Sequence, residues 1–540
     1  MPSAHTDSFV RDRVPPADQL SRLLFELPEL QFAAQLNCAT ELLDRWVAQG
    51  DGARLAVLGA APDGAPIRWT YAELQTRANR IANVLVDELG LVPGNRVLLR
   101  GANSPMLAAC WFGVVKAGGI AVGSMPLLRA RELTGIVAKA AITHALVDAR
   151  LAEELALARP LCPTLTQVLH FNGGLGSGLE AAMAMRPTTF TNVDTADDDT
   201  CIVAFTSGTT GQPKAALHFH RDVMAACACW PPHVLRAMPD DRVIGSPPLA
   251  FTFGLGGLLL FPLSIGAACV LVEKASPDAM PAAIERYRAT ICYTSPTAYR
   301  AMAGQIGAHD VSSLRKCVSA GEALPAATRQ LWRDTTGIEL IDGIGSTELL
   351  HIFISATEEQ ARGGATGFVV PGYQACVLGD DGQPVPPGQV GRLAVRGPTG
   401  CKYLADERQK TYVQDGWNLT GDAYRIDPAD GQFEYQSRTD DMIVSGGYNI
   451  AGPEVESALL LHPAVADCGV VGVADAERGQ IVKAVVVLKP GRAGDAAMAK
   501  ALQDFVKQTI APYKYPRAVE FRDSLPRTEN GKLQRYKLRT

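Results

Sequence analysis

The chain has 540 residues, 47% of them hydrophobic and 20% charged, the balance of an ordinary soluble globular protein. At roughly 100–200 residues per domain, this length implies three or more structural units, some of them fused. A formal net charge of −5 argues against a general nucleic-acid binder, which needs an excess of Lys and Arg.

The first 35 residues read as a loosely structured arm. Asp7, Arg11, Asp12 and Arg13 stand where a leader would need an apolar run, so no signal peptide is read and a cytoplasmic protein is expected. The twelve cysteines show no C-x-x-C spacing and are expected to be reduced and mostly buried. A strand is predicted over 96–100, a helix over 104–117 and a strand over 119–122. Strand signals recur at 201–205, 269–272, 291–293 and 316–319, with helical patterns between them, as at 278–288. This alternation implies α/β layers with mostly parallel sheets and functional loops at strand ends. Residues 244–272 carry no charge, a length that could span a bilayer. Pro247, Pro248, Pro262, Gly254, Gly256, Gly257 and Gly266 interrupt it, so a buried strand, a loop, a short helix and a second buried strand fit better than a membrane segment.

After about Gly367 the pattern becomes β-rich, with turn signals at 379–382 and 386–388. Beyond Arg438 helical and strand patterns alternate again at 454–461, 468–473, 482–488 and 497–510, enough for a small α+β domain. The expected division is a large N-terminal domain, 1–438, of layered α/β subdomains plus a β-rich subdomain, and a small α+β domain, 439–540.

The most informative stretch is 206–214 (TSGTTGQPK), directly after the strand 201–205. Gly208 and Gly211 let the backbone approach an anion, Thr206, Ser207, Thr209 and Thr210 supply hydroxyls, and Lys214 supplies positive charge. It is not a Walker A loop, because Lys214 is followed by Ala215. The loop resembles the signature of the adenylate-forming superfamily: acyl-CoA synthetases, adenylation domains and luciferases. Further motifs follow in order. Residues 345–348 (GSTE) resemble G-x-T-E, implying that Thr347 faces phosphate and Glu348 holds Mg²⁺. Ile344 stands where most of the superfamily has an adenine-stacking tyrosine. Residues 415–422 (DGWNLTGD) resemble the ribose-binding motif ending in Asp422. Residues 438–443 (RTDDMI) resemble the hinge, with Arg438 meeting ribose or phosphate and Asp440 as pivot, which implies that the small domain is mobile. Gly446, Gly447 and Tyr448 would line a thiol tunnel, Tyr448 replacing a commoner glutamate or histidine. Residues 526–535 (PRTENGKLQR) resemble the C-terminal catalytic loop, implying Lys532 as the adenylation lysine.

The resemblance implies ATP and Mg²⁺ as cofactors, coenzyme A as co-substrate, and Lys532, Glu348, Thr206 and Lys214 as catalytic groups. Residues 250–256 (AFTFGLG) and 342–353 (DGIGSTELLHIF) resemble the benzoate–CoA ligase branch, nearest to 2-aminobenzoate ligases. Phe253, Gly254, Gly345, His351 and Ile352 would then line a slot for a small aromatic carboxylic acid, with Ala320 and Gly321 along one wall. On composition alone Phe253 and His351 are equally well read as core residues. The resemblance allows a homodimer and implies neither a nucleic-acid nor a membrane partner. A carrier-protein loader, or a non-catalytic nucleotide sensor on the same fold, remain as alternatives.

Overall fold

Aliphatic and β-branched runs form strands buried on both faces, as parallel sheets require. The strand Thr200–Thr206 has its first six residues buried, and Lys316–Ala320 is buried throughout. The computed structural model describes residues 2–174, 176, 178–206, 213–439, 441–445, 448–475, 478–510, 512–528 and 531–539.

One six-stranded sheet runs, in spatial order, Gln167–Phe171, His144–Asp148, Arg96–Arg100, Ile120–Ser124, Thr200–Thr206 and Lys214–Phe219. All neighbours are parallel except the last pair, which is antiparallel. A nine-stranded sheet is parallel from Leu340–Gly345 through Lys316–Ala320, Ile291–Thr294, Arg242–Gly245 and Ala268–Val270 to Leu55–Ala60. Antiparallel strands close its ends, with Ile352–Ser355 beside Leu340–Gly345. The helix Pro105–Lys116 starts where Ser104 Oγ accepts the Leu107 N–H, and eleven of its twelve residues are buried, as befits a helix apolar on all sides.

The β-rich region is an antiparallel sheet of Gln374–Leu378, Val390–Arg396, Trp417–Ile426, Val413–Gln414 and Phe433–Arg438. A fourth sheet, Ile443–Ser445, Tyr448–Ile450, Val465–Asp475, Gly479–Leu488 and Ala518–Phe521, packs with the helices Gly452–Leu460 and Ala496–Thr509 around its own core of Ile443, Val455, Val470, Val486, Leu502 and others. The fold is therefore mixed α/β, a large N-terminal body followed by a small C-terminal one.

Most predicted elements fall within a residue or two of those observed. The charge-free stretch folds as expected: the strand Arg242–Gly245, consecutive helical turns over 252–264, then the strand Ala268–Val270. Among the described residues no helix is long and apolar enough to cross a membrane. The arm differs from expectation. It lacks long elements but is docked: Val10, Leu24 and Leu30 are buried, and the Arg22 and Leu24 N–H groups donate to Gly416 O and Gly397 O at 2.9 and 3.0 Å.

Candidate active site

Several of the predicted residues lie where parallel strands end, the region in which open α/β sheets bind ligands, while Asp422 and Arg438 lie on antiparallel strands and Lys532 on a turn of the small body. Thr206 closes a strand of the six-stranded sheet and pairs with Lys214 across the hairpin. Ala320 and Gly345 close adjacent parallel strands of the nine-stranded sheet. Residues 207–212, with Ser207, Gly208, Thr209, Thr210 and Gly211, lie outside the described residues.

Two tyrosines and a histidine that no motif indicated organise the polar end. Lys214 Nζ donates to the Tyr403 hydroxyl at 2.8 Å and lies 3.4 Å from Glu348 Oε1. The Tyr403 hydroxyl donates to that same Glu348 oxygen. Burial and the Glu348 charge push the Tyr403 phenol up, so it stays a neutral donor. The Tyr412 hydroxyl donates to Ser346 Oγ at 3.3 Å. His218 Nε2 donates to the Thr347 carbonyl at 2.8 Å, tying the hairpin of one sheet to the 345–348 loop of the other. Burial holds the His218 imidazole down to about 4. Glu348 Oε1 thus faces a lysine and a phenol, while a carboxylate has capacity for about four hydrogen bonds or metal contacts. A single hard oxygen donor beside an anion loop fits Mg²⁺, which usually takes only one or two protein carboxylates.

Asp422 and Arg438 are cross-strand partners, with Arg438 Nη1 3.1 Å from Asp422 Oδ1. Gly421 adopts φ +77°, the left-handed region that favours glycine, beside the Arg438 guanidinium. Burial pushes the Asp422 carboxyl up; the Arg438 charge, the Thr420 hydroxyl and the Lys532 charge pull it back. Lys532 is thus within electrostatic reach of Asp422. It is exposed, on a tight turn where its N–H donates to Thr528 Oγ1 at 3.1 Å and its carbonyl accepts from Thr528 N–H at 2.7 Å.

The apolar end is an aromatic cluster. Phe253 lies on the helix Thr252–Leu255, its ring centroid 5.6 Å from His351 and 5.8 Å from Tyr293. Phe261 meets His351 edge-on at 4.4 Å, and Trp230 lies 5.7 Å from it. Gly254, Ala320 and Ile352 are buried here. A Cβ on Gly345 would come 2.5 Å from His351 O, so glycine is required at that contact. Gly321 and Gly345 are exposed, consistent with a slot rim. Ile344 is half-buried against the core. Burial drives the His351 imidazole down to about 3, so it is neutral. Its Nε2 lies 3.4 Å from the Phe253 carbonyl, which can only accept, so Nδ1 is a bare lone pair; among the described residues this atom is buried without a partner. Leu350, between Glu348 and His351, is buried at φ 71°, a conformation costing roughly 1–2 kcal/mol in a side-chain-bearing residue.

Asp440, Gly446, Gly447 and the side chain of Tyr448 lie outside the described residues. All twelve cysteines are free and eleven are buried, as expected. Cys38, Cys201 and His220 place three ligand-type atoms within 4.8 Å of one another. However, His220 Nδ1 has one lone pair, and it already accepts the Cys38 N–H at 3.1 Å, so the trio reads as hydrogen-bonded core.

Two mostly parallel sheets tied together by His218 and Thr347, followed by a separate α+β body that carries a lysine turn, define a two-body α/β protein. The AMP-binding enzyme family matches residues 43–403 and its C-terminal domain matches 454–532, so the chain belongs to this family, as an AMP-forming acid–thiol ligase. It is 34% identical to a benzoate–CoA ligase of Thauera aromatica over 95% of this chain and 97% of that protein. It is 30% identical to a 3-hydroxybenzoate–CoA ligase of Aromatoleum sp. (strain CIB), over 93% of this chain and 96% of that one. A crystal structure of an anthranilate CoA ligase in complex with anthranoyl-AMP superposes with a TM-score of 0.89, at 35% identity, over 95% of this chain and 98% of that one.

Proposed function

We propose that the protein is an ATP-dependent aryl acid–CoA ligase, acting on a small aromatic carboxylic acid of the benzoate or 2-aminobenzoate type. The acid attacks the ATP α-phosphate to give acyl-AMP and pyrophosphate; the coenzyme A thiol then displaces AMP. The observation that carries this reading is the continuous run 345–352, which joins Thr347 and Glu348, braced by His218, Lys214 and Tyr403, to His351 in the aromatic cluster with Phe253. The named relatives, which act on benzoate, hydroxybenzoate and anthranilate, support it.

Both reactants of the first step are anions. Lys214, Lys532 and the 206–211 loop would offset their repulsion as charge develops. Bound to Glu348, Mg²⁺ would supply further charge neutralisation on the phosphates. Asp422 accepts the ribose hydroxyls and Arg438 holds it in place. Burying about 150 Å² of ring at ~25 cal/mol/Å² is worth roughly 4 kcal/mol before ordering costs. The buried, unpartnered His351 Nδ1 would supply the acceptor an ortho amine needs, which supports 2-aminobenzoate among the aryl acids. The separate core of the small body supports a division into 1–438 and 439–540, with rotation about Asp440 exchanging the Lys532 turn for Gly446, Gly447 and Tyr448. The test is product analysis with ATP, Mg²⁺, free coenzyme A and a panel of acids. Aryl-CoA from benzoate and 2-aminobenzoate is expected; thioester only on a carrier protein, or only from alkyl acids, would overturn it.

A further inference from the structure

We propose that Arg527 is a positioning residue for the adenylation half-reaction, its ion pair with Glu322 latching the Lys532 turn onto the large body. The inference rests on the two-step reading above. Arg527 sits at the base of that turn, bridged to Leu533 across it. Its planar guanidinium reaches three acceptors from three places. Nη1 lies 3.0 Å from Glu322 Oε1 in the large body and donates to Gly531 O, next to Lys532, at 2.7 Å. Nη2 lies 2.8 Å from Asp467 Oδ2 on the small body's sheet.

Glu322 is placed to receive it. It lies two residues beyond the strand Lys316–Ala320, next to Gly321 of the proposed slot wall. Its other oxygen, Oε2, accepts the Thr297 hydroxyl at 2.6 Å and the Thr297 N–H at 3.3 Å, so the carboxylate cannot swing freely. Burial pushes the Glu322 carboxyl up, and Thr297 and Arg527 hold it back, as for a carboxylate that needs its partners to stay charged. Nearby, Arg300 Nε donates to Ala466 O at 3.2 Å, a second bond from the large body to the small one.

An exposed ion pair would contribute little to stability. Here the side chains are only 22% and 14% exposed, and a forked donor fixes one geometry in a way a lysine point charge does not. The pair spans the two bodies, so rotation of the small body must break it. It therefore favours the arrangement in which Lys532 faces the nucleotide, and it has no role once that turn has left.

The experiment compares full-length wild type, Glu322→Gln, Arg527→Gln and the double variant in two assays. One is acid-dependent ATP–pyrophosphate exchange; the other is thioester formation from supplied acyl-AMP and coenzyme A. Each single substitution is expected to lower exchange about tenfold or more, the effect of losing a charge-assisted hydrogen bond, while leaving thioester formation nearly unchanged. The double variant is expected to be no worse than the weaker single one, because the two side chains act as one contact. Equal losses in both assays, an unchanged ratio, or multiplicative losses in the double variant would overturn the latch. Failure of the enzyme reading is distinct: the wild type itself would show no acid-dependent exchange.

Discussion

The large and small bodies present their functional groups by opposite means. In the large body Lys214, Glu348 and Thr347 stand at strand ends and are cross-braced by Tyr403 and His218, so a change in one is felt by the others. In the small body Lys532 is exposed on a short turn, oriented by Thr528 and by the Arg527 contacts. On the proposed two-step reading, groups required throughout both reactions are built into sheets. On the same reading, the group required for only one of them, Lys532, rides on the smaller body.

Substitutions can break this contrast. The largest effect is expected at the movable group: Lys532→Ala should lower ATP–pyrophosphate exchange by about 10²–10³-fold and leave thioester formation from supplied acyl-AMP nearly intact. Equal losses would put Lys532 among the fixed groups. Next, Tyr403→Phe removes the hydroxyl between Lys214 and Glu348, and exchange should fall about tenfold or more, most severely at limiting magnesium. A magnesium dependence identical to wild type would mean the brace has no functional part.

At the apolar end, His351→Phe keeps the ring and removes the Nδ1 acceptor. The ratio of kcat/KM for 2-aminobenzoate over benzoate should fall roughly tenfold. Because burial holds this imidazole at about 3, the wild-type ratio should stay flat between about pH 5 and 8. An unchanged ratio in the variant would place the amine's partner elsewhere.

The smallest effect concerns stability. Burial raises the Asp342 carboxyl from 3.8 to about 7. A carboxyl raised on folding binds its proton in the native state first, so its stabilising contribution is full below 3.8 and lost as pH rises through about 7. Between pH 6 and 8 the wild type should lose about 1 kcal/mol relative to Asp342→Asn, read as diverging thermal midpoints. Parallel profiles would show that Asp342 is ionised across that range.

Half of the site is legible in the sequence because it is carried by contiguous motifs. Lys214, Glu348, Asp422, Arg438 and Lys532 each sit inside a short pattern that resembles a motif of the family, and the resemblance carries their proposed roles. Strand–helix alternation likewise discloses the layers, because burial on both faces leaves continuous apolar runs. The braces are not legible. Tyr403 meets Glu348 across 55 residues, His218 meets Thr347 across 129, and Arg527 meets Glu322 across 205. Sheet order creates such contacts, and no local pattern encodes them. The N-terminal arm departs from its expected looseness for a related reason: it is held by backbone bonds to Gly397 and Gly416 and by single buried side chains, which leave no periodicity.

The most direct test of the account is acid-dependent ATP–pyrophosphate exchange without coenzyme A, using benzoate, 2-aminobenzoate, hydroxybenzoates, acetate and a medium-chain fatty acid. Exchange driven by the aryl acids, strongest with 2-aminobenzoate and largely lost in Lys532→Ala, is the predicted result. Exchange with none of the acids, or only with the alkyl ones, would contradict it.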